Sequence, residues 1–150
     1  MSALRLEPGP LVSPMTGEHA LVFAVTNVGA VACSILGYPT VTLLDSKGAT
    51  LPFRYTASRS PYVTHARPAP VLLRPMAHAY FEIAKYRCDA GVVSDAASVQ
   101  VRLVAGTAAL SGPTGDGVGS LSYCLGGPAD PGQVVDVSPV EATAAAVLPS

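Results

Sequence analysis

The sequence has few of the residues that build large aromatic cores and charged surfaces. It has no tryptophan, three phenylalanines and charged side chains at only 13% of its 150 positions. The net charge of −1 excludes a general attraction to nucleic acid or to an anionic membrane. No apolar run approaches the roughly 20 residues that a membrane-spanning helix requires. The opening residues "MSALRLEPGP" lack a signal peptide, and they fit an exported domain without its leader, an intracellular protein or a virion protein.

Patterns of long amphipathic helices are also missing, and glycine and proline occur 14 times each, which is typical of short strands joined by turns. Residues 98–104 alternate most clearly, with Gln100 and Arg102 pointing outward, and residues 39–45 alternate with Thr40 and Thr42 on one face. Further predicted strands are 3–7, 19–27, 49–55, 69–75, 77–86 and 133–140, and residues 111–120 are predicted to be a glycine-rich loop. The length suits one domain. We predict an all-β fold: a single antiparallel β-sandwich, immunoglobulin-like, with seven to eight strands over residues 1–140. Residues 141–150 are predicted to be a fraying C-terminal tail.

The pattern of reactive residues predicts no active site. His19, His65 and His78 are too far apart in sequence for an HxxxH or HxH pair, and no cysteine pair has metal-ligand spacing. There is no G-x-S-x-G elbow. The run "GDGVGS" is followed by a strand-like piece and not by the helix that a phosphate loop needs. We therefore expect no catalytic residue, no cofactor and no metal, and we expect that the protein is not an enzyme.

A basic loop is the best candidate for a binding surface, because no Asp or Glu occurs between Ser46 and Phe81. Positive charge and aromatic faces, a mixture enriched at interfaces, come together in its candidate interface residues. These residues are Arg54, Tyr55, Arg59, Tyr62, His65 and Arg67. A protein partner, or self-association through residues 54–67, is the interaction predicted here, and an ordinary solvent-exposed loop is the alternative. The near-neutral net charge disfavours stacking on nucleic acid.

The three cysteines leave two alternatives open. A disulfide between Cys88 and Cys124 would close a loop of about 35 residues and contribute roughly 3–4 kcal/mol, mainly by restricting the unfolded chain. Such a bond would suit an exported domain with a thin Ala/Val core. Three reduced thiols, including Cys33, are the expectation for a cytosolic protein.

Three sequence elements resemble a known family. They are the N-x-G of Asn27–Gly29, the C-x-x-x-G-Y-P that starts at Cys33, and the L-x-P that starts at Leu73. In this order, and with two later cysteines, they resemble the uncharacterised actinobacterial family catalogued as domain of unknown function 4232, over about residues 3–140. The resemblance implies an exported β-sandwich, and the family has no established catalytic residues.

Two positions depart from the family pattern. Members often carry a cysteine at the head of the first strand that could pair with the equivalent of Cys33, whereas this chain has Ser2 and Ala3 there. Cys33 is therefore expected to be a free buried thiol. The family's Pro-Gly after the fifth strand is Pro75-Met76 here, which alters one turn.

The leading functional prediction is a non-catalytic binding or structural module, exported or at the surface of an actinobacterial cell. The alternative is an immunoglobulin-like decoration protein of a virion or other particle, since no export signal is visible. A hydrolase is the weakest of the three hypotheses.

Overall fold

The computed structural model describes residues 3–12, 16–57, 61–89, 93–103, 108–114 and 121–149. Within these ranges the chain is all-β, which confirms the predicted fold class. The strands are β1 (Leu4–Pro8), β2 (Glu18–Asn27), β3 (Cys33–Ile35), β4 (Thr40–Leu44), β5 (Arg54–Thr56), β6 (Val71–Leu73), β7 (His78–Tyr86), β8 (Val93–Asp95), β9 (Ser98–Arg102), β10 (Leu110–Pro113), β11 (Ser122–Cys124) and β12 (Val134–Val137). Two short 3-10 turns, Pro131–Gln133 and Ala145–Val147, complete the described elements. None of the helical segments in the described ranges is long and apolar enough to cross a membrane.

The strands form four sheets in the described part of the chain. The largest has the order β1-β2-β7-β12-β5, the second has the order β10-β9-β4, and β11-β8 and β3-β6 are two-stranded. All neighbours are antiparallel except β12 and β5, which run parallel. The strands are shorter and more numerous than the seven to eight predicted. Segments that read as one strand in the sequence, such as 49–55, pair over only a few residues, and the loop predicted at 111–120 begins with β10.

One hydrophobic core joins the sheets. Phe23 on β2 lies opposite Phe81 on β7, and their rings stack with centroids 5.3 Å apart. The core continues through Val99 and Val101 of β9, both fully buried, to Leu43 of β4. Because side chains alternate across a strand, these inward residues leave Gln100 and Arg102 on the opposite, solvent-facing side of β9, as the sequence pattern predicts.

The C-terminal residues differ from the expected fraying tail. Glu141 continues the path of β12 beside β7 and exchanges two backbone hydrogen bonds of 2.8 Å with Tyr80. Val147 is fully buried, and its carbonyl accepts a hydrogen bond of 3.0 Å from the backbone N–H of Thr64. This Ala/Val-rich segment was expected to fray. Instead, it packs between the loop that contains Thr64 and strand β7 of the largest sheet.

Two turns carry the residues of the family resemblance. The side chain of Asn27 donates hydrogen bonds of 2.9 Å to the carbonyls of Val31 and Leu73, and it accepts one of 3.0 Å from the N–H of Gly29. Met76, which stands where the family has glycine, adopts a left-handed backbone with φ of 65°. The first motif is therefore a hydrogen-bonded corner, and the second is a turn that glycine would adopt without strain.

Candidate functional site

The residues of the predicted loop interface differ in exposure where the structure describes them. Arg54, His65 and Arg67 are exposed, while Tyr55 and Tyr62 are half-buried. The Tyr55 hydroxyl accepts a hydrogen bond of 2.9 Å from the backbone N–H of Leu43, and burial raises the pKa of this phenol. Arg59 lies outside the described residues. Both described aromatic side chains of the candidate interface therefore make internal contacts and are only partly exposed.

Tyr62 approaches a buried acidic face of the largest sheet. Three acidic residues share this face: Glu18, Glu82 and Asp136. Glu82 lies on β7 two and four residues before Ala84 and Tyr86, so all three β7 side chains point the same way. Asp136 pairs with Ala84 and Glu18 pairs with Tyr86, which places both on that face. Glu18 is 7% exposed and Glu82 only 2%. The segment around Tyr62 covers the end of the face at Glu18, which alternation alone would have assigned to solvent.

Burial changes the titration of these carboxyl groups. It raises the pKa of Glu18 to about 7, with a further rise from Asp136 and opposing effects from Tyr62 and Lys85. It raises the pKa of Glu82 to about 8, and the charge of Glu18 adds to that rise. Tyr62 favours the ionised form of Glu18, but neither carboxylate oxygen of Glu18 has a hydrogen bond of ordinary geometry within the described residues. Near neutral pH, Glu82 is therefore mostly protonated, and Glu18 is divided between its protonated and ionised forms.

A disulfide joins Cys88 and Cys124, whose Cα atoms are 5.4 Å apart across a sequence separation of 36 residues. The buried ammonium of Lys85 lies 3.8 Å from the Cys88 sulfur and donates a hydrogen bond of 2.8 Å to the carbonyl of Tyr86. Asp130 accepts hydrogen bonds from the N–H groups of Asp89 and Gly132 beside the bond. Buried charge thus surrounds this cross-link, and burial lowers the pKa of Lys85 while Asp130 opposes that effect.

The third cysteine lies elsewhere. Cys33 is a free thiol that is half-buried and not fully buried, and burial raises its pKa. It borders a small depression of about 290 Å³ shared with Ala3 and Val31. A thiol with a raised pKa is a weak nucleophile at neutral pH.

The histidines occupy separate surroundings in the described structure. The Nδ1 atom of His78 lies 2.8 Å from the Thr26 hydroxyl. His19 lies opposite Lys85 on the core-facing side of the sheet, and burial lowers its pKa. Among the described residues, the one group of three potential metal ligands is Cys88, Cys124 and Asp130. Its two sulfur atoms are already bonded to each other, so they offer no thiolate to a metal.

An open groove is the best candidate site that sequence reasoning missed. It has a volume of about 640 Å³, within the roughly 300–1,000 Å³ typical of ligand sites, and it lies over the outward face of β4 and β9. Its polar lining consists of Ser34, Thr40, Thr42, Gln100 and Arg102. Its apolar margin includes Leu36, which is 59% exposed, and Tyr38, which is 39% exposed.

The strand registers explain how this lining comes together. Thr40 of β4 pairs with Arg102 of β9, and Thr42 pairs with Gln100. Directly opposite residues have Cβ atoms about 4.5–5.5 Å apart on one face of a sheet. Four polar side chains therefore form a compact array, and the described lining contains no carboxylate, imidazole, ammonium or thiol group.

Comparison with known protein families agrees with the three sequence motifs. The model of the family described as Domain of unknown function (DUF4232) matches residues 2–147. The chain belongs to this family. The match confirms the resemblance read from the sequence. Searches of curated proteins and of solved structures found no match.

In this DUF4232 chain the family motifs and the groove lie on connected elements. Gly37, with φ of 104°, and Tyr38 link β3 to β4. Tyr38 is at the groove margin, so part of the C-x-x-x-G-Y-P motif is a surface feature as well as an architectural one. Alternation had already placed Gln100 and Arg102 outward, and it had placed Thr40 and Thr42 together on one face. The groove could not be predicted because nothing in the local sequence pattern indicates that β4 pairs with β9.

Proposed function

We propose that this DUF4232 protein is a non-catalytic binding module, exported from the cell, whose ligand site is the groove over β4 and β9. The observation that carries the proposal is the chemistry of the lining. Hydroxyl, amide, guanidinium and aromatic groups converge there, and these groups hold and orient a ligand. The described lining lacks the carboxylate or imidazole that usually serves as a general acid or base.

The placement of the histidines supports a binder over a hydrolase. A Ser-His-Asp hydrolase needs a serine, a histidine and a carboxylate within hydrogen-bond reach of one another. His78 is engaged with Thr26, and His19 faces Lys85 on the core side of the sheet. None of the three histidines, His65 included, belongs to the described lining of the groove.

The proposed architecture is an immunoglobulin-like sandwich, with the five-stranded and three-stranded sheets as its two layers. A single core cluster supports this arrangement, because it combines Phe81 and Val137 of the first sheet with Val41 and Val101 of the second. In such a fold the outward face of β9 is free for recognition.

Export is supported by the disulfide between Cys88 and Cys124, because such bonds persist in oxidising compartments. The test is a count of free thiols in denatured protein that was purified from its native source with an acid quench. We expect one free thiol, that of Cys33. Three free thiols would contradict export while leaving the binding proposal intact.

The binding proposal is tested by filling the groove. Calorimetry would measure the affinity of the protein for three probes: trigalacturonic acid, maltotriose and hexaglutamate. We expect at least one probe to bind, and Thr42→Trp to weaken its binding by about tenfold or more, since the indole would occupy the site. Thr50→Trp, at an exposed position on the far side of the β4 turn, is the matched control and should bind as the unmodified protein does.

If Thr42→Trp fails to fold, Gln100→Ala replaces it, because an exposed side chain is truncated without added bulk. Binding of none of the probes, or binding that both groove variants leave unchanged, would overturn the proposal. Either result would favour a purely structural role, such as decoration of a particle.

A further inference from the structure

The polar array in the groove also indicates the class of ligand, an inference that rests on the proposed binding function. Arg102 and Gln100 lie two residues apart on β9, with Thr40 and Thr42 directly across on β4. Neighbouring strands are about 4.8 Å apart, and alternate residues along a strand are about 6.6 Å apart. Three neutral hydrogen-bonding groups therefore surround one guanidinium at spacings that suit the substituents of a single small ring.

The charge of the groove selects for an anion. Arg102 is exposed, and its guanidinium forms no ion pair within the described ranges of the chain. The lining in those ranges contains no carboxylate that would neutralise it. Guanidinium binds carboxylate through two parallel hydrogen bonds, and it does so more specifically than an ammonium group.

The surrounding groups favour a hydroxyl-rich ligand. Ser34, Thr40 and Thr42 offer hydroxyl groups that both donate and accept hydrogen bonds, and Gln100 offers both an amide donor and an acceptor. Tyr38 at the margin has an apolar ring face and a polar hydroxyl group. The ring face can pack against the C–H groups of a sugar while the hydroxyl stays in contact with water.

The position of the array on a sheet face disfavours an extended peptide. Peptides that bind sheets usually add a strand to an open edge, where backbone groups are unpaired. β9 is flanked on both sides, by β10 and by β4, so its backbone has no free edge beneath the array. β4 is the end strand of this sheet, but both backbone groups of Leu43 near its centre are already bonded, the N–H to the Tyr55 hydroxyl and the carbonyl to the Leu51 N–H. A ligand on this face is therefore recognised mainly through side chains.

We propose that the groove binds an acidic oligosaccharide, with Arg102 holding the carboxylate of a uronic acid unit and the Thr40–Thr42–Gln100 side chains holding its hydroxyl groups. Tyr38 packs against the adjacent sugar ring. The interaction is mainly polar and open to solvent, so it weakens as salt screens the single charge pair.

The test compares trigalacturonic acid with maltotriose, a neutral trisaccharide, by calorimetry at low and moderate ionic strength. We expect the acidic trisaccharide to bind at least about tenfold more tightly at low salt, consistent with one charge-assisted pair. Arg102→Gln should remove that preference, and Arg102→Lys should retain only part of it. Arg74→Gln is the control, because it removes another exposed positive charge that lies outside the groove.

The other outcomes overturn this inference in distinguishable ways. Equal binding of the two trisaccharides, or a preference that survives in Arg102→Gln, would contradict the role of Arg102 while leaving the groove a binding site. Tighter binding of hexaglutamate than of trigalacturonic acid would identify an acidic peptide as the ligand class. Binding of none of the probes would refute both this inference and the proposed function.

Discussion

Arg102 on β9 lies directly opposite Thr40 on β4 in the antiparallel ladder, on the face that points away from the core. This pair brings a guanidinium and a hydroxyl group into one groove from positions about 60 residues apart in the chain. The inward neighbour of Arg102, Val101, is fully buried. The same strand thus anchors the site to the core and displays the polar side chain, which fixes the array on a rigid element.

Opening the disulfide should destabilise the protein by about 3–4 kcal/mol, because the cross-link restricts a long loop of the unfolded chain. The double variant Cys88→Ala with Cys124→Ala should show this loss in urea unfolding, and a reducing agent should have a similar effect on the unmodified protein. Cys33→Ser is the control and should leave the dependence on reducing agent unchanged, since Cys33 forms no disulfide. Equal stability with and without the cross-link would contradict this assignment.

Stability should fall as pH rises from about 5 to 8. The unfolded chain releases the protons of Glu18 and Glu82 near pH 4.5, whereas the folded pKa values are about 7 and 8. Between these limits the folded state binds more protons than the unfolded state, so raising the pH favours unfolding. The loss of stability is therefore spread over the interval between the unfolded and folded pKa values and ends above pH 8.

The double variant Glu18→Gln with Glu82→Gln should flatten this pH dependence, measured by urea unfolding at pH 5 and pH 8. Glu7→Gln is the control, because Glu7 is a partly exposed carboxylate paired with Arg5. Because the pKa of His19 is lowered in the folded state, this residue makes stability rise with pH in the acidic range, opposite to the two glutamates. The decisive quantity is therefore the difference in pH dependence between the double variant and the unmodified protein. An unchanged slope in the double variant would show that the two buried glutamates do not control it.

Gly132→Ala should destabilise the protein by about 1–3 kcal/mol, as overpacking of a filled site typically does. A β-carbon at this position would meet the Cys124 sulfur at 2.5 Å and the carbonyl oxygens of Tyr86 and Arg87 at 2.9 and 3.0 Å. Gly112→Ala is the matched substitution, since its nearest neighbour there is Leu6 at 3.4 Å. Thermal unfolding of the two variants would separate a local clash from a general effect of replacing glycine, and equal losses would contradict the clash.

Met76→Gly should stabilise the protein by about 0.5–1 kcal/mol. Met76 holds a left-handed backbone that costs a residue with a β-carbon roughly 1–2 kcal/mol, and the greater unfolded-state freedom of glycine offsets part of that gain. Met76→Ala keeps the β-carbon, removes an exposed side chain, and should show no gain. A stability rise in the alanine variant equal to that in the glycine variant would exclude backbone strain as the cause.

Local sequence patterns were sufficient for the fold class and for the orientation of individual side chains. The alternation around Arg102 predicted which residues face outward, and the Asn27 and Cys33 motifs predicted the family. The pattern could not reveal that β4 pairs with β9, because strand pairing depends on contacts far apart in sequence. The groove was therefore invisible, although the sequence pattern had placed Gln100 and Arg102 outward and Thr40 and Thr42 on a common face.

The buried acidic face shows a second limit of local patterns. Alternation places Glu82 on the polar side of β7, and a polar residue there is normally expected to meet water. Its burial depends on how loops and the C-terminal segment pack against the sheet, and a low-complexity Ala/Val segment gives little sign of that. Tyr62 is a related case, since composition suggested a displayed aromatic residue, whereas its side chain is half-buried and interacts with Glu18.

The most direct test of the binding-module proposal is a nitrogen-15 NMR titration of the protein with trigalacturonic acid. We expect chemical-shift changes centred on the amides of Thr40, Thr42, Gln100 and Arg102, with the amides of His65 and Arg67 unaffected. The groove assignment would be contradicted by changes centred on the 61–67 segment, or by a spectrum without changes at millimolar ligand.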